Sequence, residues 1–330
     1  MNMEIYQKLK EKLGETVQEN VEMKKYTTFR LGGPAKYFFI AKNREELQKA
    51  VQIAKELNLD FFILGGGSNL LVSDEGYDGL IIKIENREIE LNGEIIKADS
   101  GTTLEKVTSL ATQNGLSGIE WASGIPGTVG GAVRGNAGAY GADASVNIIE
   151  VKVYNVEKDE IVIMKNNECK FEYRESIFKK DKNLIILETV FQLQKGDKEE
   201  IKKEIIELTK KRTCAQPKFP SVGCNFKNIV VSDEIKEKIK TIDANGIDAV
   251  KTSSETGVSK IGAAWFIDRA GLKGYTIGGV KVSDEHANFI IKFLEDGTAQ
   301  NVIDLINYVK NIIKEKYGIQ LEEEVQTLGF

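Results

Sequence analysis

The sequence predicts an α+β protein of more than one domain, and three observations carry that prediction. The chain has 330 residues, more than one ordinary core accommodates. Near the start, strand-like runs alternate with an amphipathic helix and end on a run of glycines, while the middle reads as hairpins. Toward the end a long amphipathic helix follows several short strands, so helices and strands are grouped rather than strictly alternating.

Residues 4–14 read as a short helix, with Ile5, Leu9 and Leu13 on one face and Gly14 as its stop. Residues 26–34 break that pattern and residues 35–40 resume as a strand. Asn43 is a helix cap: Glu46 stands three residues on, and Leu47, Ala50, Val51, Ala54 and Leu57 share one face. Residues 61–64 form a buried strand that runs directly into Gly65-Gly66-Gly67-Ser68-Asn69, completing a small α/β unit. A second unit is expected to open at residues 80–84. Residues 89–91 and 94–98 are strands joined by Asn92-Gly93, a hairpin signal, and residues 103–114 are a helix from a Thr cap to Gly115. A glycine-rich segment follows at 123–141. Beyond it come a hairpin (148–156 with 160–164), an irregular turn (169–178), a strand (184–193) and a charged helix (197–211). The third region offers a helix over 263–274 ended by Gly271 or Gly274, strands at 275–282 and 288–293, a helix over 298–317 and a closing strand at 319–328.

Hydrophobic content of 41% and charged content of 29% are those of a soluble globular protein. A net charge of −5 without a basic stripe argues against nucleic acid. No apolar run approaches a membrane span, and the mixed-charge start lacks a signal-peptide core, so a cytoplasmic location is expected. Three cysteines at spacings of no zinc pattern, with His286 the single histidine, predict neither a metal site nor a disulfide framework.

Residues 124–141 hold seven glycines. A flexible linker would set them among polar residues, but here Ile125, Pro126, Val129, Ala132, Val133, Ala137 and Tyr140 intervene. Glycine among residues that seek burial signals close backbone approach, here to a large flat or polyphosphorylated ligand. Gly65 to Asn69 is equally readable as a phosphate cradle or as a tight turn. It is neither a P-loop nor a G-x-G-x-x-G fingerprint, and two separate glycine beds favour a dinucleotide. Arg174, in the irregular turn, could face a carboxylate or a developing oxyanion, although a surface ion pair is the commoner reading. Cys224, between Gly223 and Asn225, is either a proton donor or nucleophile, or a small buried hydrophobe. By themselves, Glu322 to Glu324 read as a solvated acidic run and His286 as a surface or supporting residue.

In combination, TFRLGG (28–33), LGGGSNLL (64–71), GIPGTVGG (124–131), GNAGAYG (135–141), YRESIF (173–178), PSVGCNFKN (220–228), AGLKG (270–274), IGG (277–279) and Glu324-Val325 resemble the UDP-N-acetylenolpyruvoylglucosamine reductase (MurB) family over nearly the whole chain. The lack of an inserted tyrosine-bearing loop after Tyr173 resembles its shorter, type II branch. The resemblance implies an FAD-binding half of two α+β subdomains, similar to the vanillyl-alcohol-oxidase (PCMH) type, and a third, α+β substrate-binding domain. Its expected boundaries are 1–83, 84–211 and 212–316, with 317–330 returning to the active site.

The resemblance also implies a chemistry. NADPH reduces FAD, and the enolpyruvyl ether of UDP-N-acetylglucosamine is then reduced to UDP-N-acetylmuramate, a step of peptidoglycan precursor synthesis. Hydride comes from flavin N5 and a proton from the protein. Gly65, Gly66, Gly67, Ser68, Asn69, Gly124, Pro126, Gly127, Thr128, Gly130, Gly131, Asn136, Gly138 and Ala139 fall at cofactor positions. Arg174 matches the arginine that holds the substrate carboxylate and Glu324 the acid at the reacting carbon. Cys224 replaces the family's proton-donating serine; a thiol, with a reference pKa near 8.5, is the more acidic donor. Lys227, Asn228 and Lys273 match contacts to the substrate's diphosphate or sugar, and His286 a polar position nearby. The expected partner is a small sugar nucleotide, with no nucleic acid and no membrane; the oligomeric state is left open, leaning to a monomer. The sequence departs from the family at residues 229–262, an insertion readable as lid, partner surface or neutral extension. A flavin oxidase or dehydrogenase of the same fold, or a non-catalytic sugar-nucleotide binder, are the alternatives.

Overall fold

The computed structural model describes residues 2–252 and 257–330. Contacts divide the chain into two compact units: Met1–Glu22 with Pro34–Gly67 and Tyr77–Cys214, and Met23–Gly33 with Ser68–Gly76 and Ala215–Phe330. Met23–Gly33 and Ser68–Gly76, expected in the first cofactor-binding subdomain, therefore group with the C-terminal part of the chain. Among the described residues no helix is long and apolar enough to cross a membrane.

The first unit opens with helix α1 (Asn2–Leu13), whose Leu9 is fully buried. Its first sheet has the order Gln18–Glu22, Pro34–Ala41, Tyr77–Ile84, Phe61–Leu64. The last three strands run parallel, which requires a crossover, and helix α2 (Arg44–Glu56) supplies it. Its start is the predicted cap: Asn43 Oδ1 accepts from the Glu46 amide at 2.8 Å, and Glu46 Oε2 accepts from the Lys42 amide at 2.7 Å. Residues 80–84 do not open a second unit. They lie between the two neighbouring strands, with Ile81 opposite both Phe38 and Phe62. A central parallel strand is covered on both faces, which is why Leu80, Ile81 and Ile82 are consecutively apolar and fully buried.

The second sheet of this unit is antiparallel, in the order Glu160–Lys165, Ile148–Asn155, Leu184–Gln192, Ile95–Asp99, Ile89–Asn92. Asn92 pairs with Ile95, so the hairpin turns on Gly93 and Glu94, one residue later than expected; Gly93 takes φ +60°. Helix α3 (Leu104–Gln113) has Thr103 as its cap, and Gly115 at φ +64° follows its C-cap, Asn114. The glycine-rich segment folds in part into helix α4 (Val129–Gly135), and Val129, Ala132 and Val133 join Val151, Val153 and Phe191 in one core. Helices α5 (Ile177–Lys180) and α6 (Lys198–Ala215) complete the unit. A charge network ties α2 to the second sheet. Arg44 Nε donates to Asp99 Oδ1 at 2.8 Å, Arg44 also binds Glu188, and Lys152 lies 3.3 Å from Glu188.

In the second unit the insertion is structured where described. Ile229–Val230 and Lys251–Thr252 flank Ser259–Ile261, and helix α7 (Asp233–Ile242) is capped by Ser232. Ile239 and Ile261 enter the main core beside Phe266 and Leu305. Residues 253–256, within the insertion expected at 229–262, lie outside the described residues. Helix α8 (Ala263–Arg269) is ended at the earlier of the two expected stops, Gly271, which takes φ +76° after the C-cap Ala270. The strand expected over 275–282 is instead a hairpin, Thr276–Ile277 with Val280–Val282. Gly278 (φ +53°) and Gly279 make the turn, and a Cβ on Gly279 would sit 2.3 Å from the Gly297 amide nitrogen. Helix α9 (Ala299–Tyr317) has a Thr298/Asn301 capping box, and the Asp74 carboxylate accepts from the Ala299 and Gln300 amides at 2.9 Å each. Of the closing strand, Gln326–Leu328 pairs with Leu70–Val72, and Glu323 forms one bridge with Phe226. The rest follows the core rather than a ladder: Leu321 and Val325 are buried, Glu322 is exposed.

Candidate functional site

In the first unit the two glycine segments meet backbone to backbone. A Cβ on Gly66 would lie 2.9 Å from Gly127 Cα, and one on Gly65 would lie 2.6 Å from Thr128 Oγ1. Only glycine allows that approach. Among the described residues no backbone carbonyl accepts from the amides of Gly66, Gly67, Gly127 or Thr128. Four such amides beside a surface without side chains suit phosphate oxygens and a flat ring system. The first amides of α4 do not contribute: Val129 donates to Thr102 O and Gly130 to Ser100 O, both at 2.8 Å. Gly131 donates at 3.4 Å to Thr128 Oγ1, the cap. Gly130 is glycine because Ser100 is packed against it, a Cβ there lying 2.9 Å from Ser100 Cβ. Gly124, at φ +71°, has the Arg212 side chain 3.1 Å from where its Cβ would be.

Downstream residues of the same segment hold Arg174 in place. Asn136 caps α4 in the left-handed region (φ 41°) and is buried; its Nδ2 donates to Glu172 O at 3.0 Å and its Oδ1 accepts from the Ser145 amide at 3.1 Å. Ser176 Oγ donates to Arg134 O at 2.6 Å. Arg174 has φ +59°, a conformation costing a side-chain-bearing residue about 1–2 kcal/mol. It is held there by Nη2 donating to Gly138 O at 2.9 Å and by Lys179 Nζ donating to Arg174 O at 3.0 Å. Glu175 pairs with Lys179 at 3.0 Å. Gly138 and Ala139 form a two-residue strand, and a Cβ on Gly138 would meet Ala142 O at 2.5 Å. Burial lowers the Arg134 pKa, with Glu175 opposing it.

In the second unit, residues 224–227 are zipped between two distant segments. On one side Cys224 bridges Phe289, the Asn225 amide donates to Asn288 O at 2.8 Å, and Asn288 binds Phe226 through both side-chain atoms, at 2.9 and 2.8 Å. On the other side Glu324 N donates to Asn225 O and Lys227 N to Glu322 O, both at 2.8 Å. Cys224 and Glu324 are thus brought onto neighbouring segments. Asn69, expected at the cofactor, fixes Glu324 here: its Nδ2 donates to Glu324 O at 3.1 Å and its carbonyl accepts from Gln326 N at 3.1 Å. The turn before Cys224 is held by Thr28 Oγ1 donating to Ser221 O at 2.7 Å, with Gly223 at φ +85°.

Cys224 is half-buried, whereas Cys169 is buried, its thiol pushed up to about 12 by desolvation, and Cys214 is exposed. His286 Nδ1 accepts from the Asn288 amide at 3.3 Å, which places it at the same seat; burial lowers the pKa of the ring, a backbone hydrogen bond opposing it and the Lys273 charge adding to it. Lys227 lies 3.5 Å from Glu322, Asn228 is exposed beside it, and Lys273 lies 3.2 Å from Asp268 on the turn after α8.

Sequence reasoning missed three contributors. The Ser100 and Thr102 carbonyls seat α4, and nothing local marks them. Lys83 Nζ donates to Gly65 O at 2.8 Å, beneath the glycine turn, and its only signal is a lysine inside the apolar run LIIKI.

Residues 216–328 match the family model described as UDP-N-acetylenolpyruvoylglucosamine reductase, C-terminal domain, and residues 35–164 that of an FAD binding domain. The chain is 38% identical over 328 residues to the UDP-N-acetylenolpyruvoylglucosamine reductase of Caldanaerobacter subterraneus subsp. tengcongensis, covering 97% of this chain and 98% of that one. It is 36% identical over 315 residues to that of Clostridium botulinum (strain Alaska E43 / Type E3), covering 95% and 93%. The crystal structure of the Thermus caldophilus UDP-N-acetylenolpyruvylglucosamine reductase aligns with a TM-score of 0.74 at 30% identity, covering 94% of this chain and 98% of that one.

Proposed function

The chain belongs to the UDP-N-acetylenolpyruvoylglucosamine reductase family, and from that premise we propose that it reduces the enolpyruvyl ether of UDP-N-acetylglucosamine to UDP-N-acetylmuramate, with NADPH as electron source. It is an FAD-dependent oxidoreductase of peptidoglycan precursor synthesis. The cradle fits FAD: the Gly66 and Gly127 backbones approach as no side chain would allow, and among the described residues no backbone carbonyl accepts from the neighbouring amides. Gly65 to Gly67, Gly124 and Pro126 to Thr128 would hold the cofactor, with Ser68, Asn69, Gly130, Gly131, Asn136, Gly138 and Ala139 completing or bracing its bed. When bound, FAD supplies hydride transfer between the nicotinamide and the enolpyruvyl double bond.

The protein's part is charge and a proton. Arg174, pinned by its contact to Gly138, is suited to hold the substrate carboxylate, where negative charge grows as the double bond is reduced. Cys224 Sγ delivers a proton to the carbon bearing the ether oxygen, and Glu324 completes the reacting centre. Lys227, Asn228, Lys273 and His286 serve the diphosphate and sugar.

The observation that carries this reading is the seat of residues 224–227 between Asn288 and Glu322 to Glu324, which puts Cys224 and Glu324 on hydrogen-bonded neighbouring segments. The test is a pair of anaerobic spectra. NADPH should bleach the flavin band of the purified protein, and the enolpyruvyl substrate should restore it. Recovery with oxygen alone would identify an oxidase, and a colourless protein that binds UDP-sugars would identify a non-catalytic binder.

A further inference from the structure

A trans peptide is planar, so its carbonyl and its N–H point in opposite directions. The Gly65 carbonyl is held by Lys83 Nζ at 2.8 Å, and the same ammonium reaches Ile84 O at 3.4 Å. The Gly66 amide therefore faces away from Lys83, and no described backbone carbonyl accepts from it. Lys83 itself is braced by the sheet: Leu64, the residue before Gly65, pairs with it across the parallel ladder.

We propose that Lys83 is a positioning residue for the dinucleotide, pinning and polarising the Gly65–Gly66 peptide so that the Gly66 amide is presented to an anionic oxygen of the FAD diphosphate. This rests on the FAD reading above. The arrangement answers two otherwise separate questions. A peptide between two glycines rotates with little steric resistance, and a cation gripping its oxygen removes that freedom. A half-buried lysine whose acceptors are carbonyls rather than a carboxylate holds positive charge at low dielectric, which an incoming diphosphate would complement. Burial lowers the Lys83 pKa, with Glu85 opposing it and Arg87 adding to it, so the ammonium gains from an anion nearby.

Flavin-free protein titrated with FAD tests this. Lys83→Met should raise the FAD dissociation constant about tenfold, with Lys83→Arg within about threefold of wild type. Lys83→Met binding FAD like wild type, or Lys83→Arg weakened as much as Lys83→Met, would overturn the proposal. If either variant does not fold, the wild-type protein decides. Followed by NMR, the Lys83 ammonium should titrate about one pH unit higher with FAD bound, the reciprocal of a tenfold effect on binding. An unchanged titration overturns the proposal. Wild-type protein that takes up no FAD overturns the underlying reading, and this one with it.

Discussion

The glycine cradle of the first unit and the Cys224 seat of the second are built on opposite principles. The cradle works by what is missing, because its shape depends on absent Cβ atoms and its polar groups belong to the backbone. The seat works by what is present, placing a few side chains on strands that other segments hold in register. Damage to the cradle should therefore show as lost cofactor, and damage to the seat as lost turnover in a protein that keeps its cofactor.

The sharpest way to break that contrast is Cys224→Ala. It should slow reoxidation of reduced flavin by substrate about a hundredfold or more at unchanged FAD content, while Cys224→Ser recovers most of the rate. Single-turnover stopped-flow measures it, and an Ala variant as fast as wild type removes Cys224 from the mechanism.

Next in size is Gly66→Val. With Gly127 Cα 2.9 Å from the new Cβ and backbone on both sides, overpacking of about 1–3 kcal/mol should weaken FAD binding about tenfold or more. The fraction that still binds FAD should turn over normally. Gly135→Ala is the control within the same segment: nothing lies within 4 Å of its Cβ and it sits in α4, so FAD content should not change. Equal losses from both substitutions would mean that glycine content, not the contact, matters. Gly130→Val and Gly138→Val are poorer probes, because Ser100 and Ala142 would reject a side chain whether or not FAD binds there.

A smaller effect is expected at Arg44→Met, which leaves Asp99 buried beside Glu188 without its guanidinium. Because the Arg44 side chain is 28% exposed, the loss should be about 1–2 kcal/mol rather than that of a fully buried pair. Thermal unfolding of the first unit would report it, and an unchanged transition would show that Lys152 suffices.

The smallest is a pH effect in the second unit. In the unfolded chain His286 takes up its proton near the ordinary 6.5, but in the folded protein only at lower pH, because the ring is buried. Between those values the unfolded state binds more protons, so stability is full above 6.5 and falls as the pH drops, by at most about 1.4 kcal/mol per pH unit. His286→Asn should flatten that acid limb in urea titrations at pH 7 and pH 5; an unchanged slope would assign the acid sensitivity elsewhere.

What could be read from the sequence follows the range of the forces involved. The caps Asn43, with Glu46, and Thr103 act within one turn, Gly115 is a local stop, and the apolar period of residues 298–317 is set by near neighbours, so α2, α3 and α9 are marked to within a residue or two. Partner choice between strands is not local, so residues 80–84 gave no sign that they would insert between Pro34–Ala41 and Phe61–Leu64. Helix α4 is poor in helix-forming residues and exists because Thr102 and Ser100 accept its first amides. At the site, the glycine beds were visible as composition. A thiol between Gly223 and Asn225 reads equally as a proton donor and as a small buried hydrophobe, and only the family resemblance favoured the first.

The insertion carries a lesson about chain length. Its two ends are joined by a short antiparallel ladder, Ile229 opposite Ile261 and Val230 opposite Lys260, extended by Val231 N donating to Ser259 O at 2.9 Å, so the chain enters and leaves the insertion at nearly the same point. A tight turn could replace the excursion without redirecting the chain on either side. The obstacle to such a shortening is volume rather than path: Ile239 is fully buried, and a Cβ on Gly246 would already touch Trp265 at 2.6 Å. Shortening this segment would thus need larger side chains grown inward from α8 and α9 to refill what α7 now occupies.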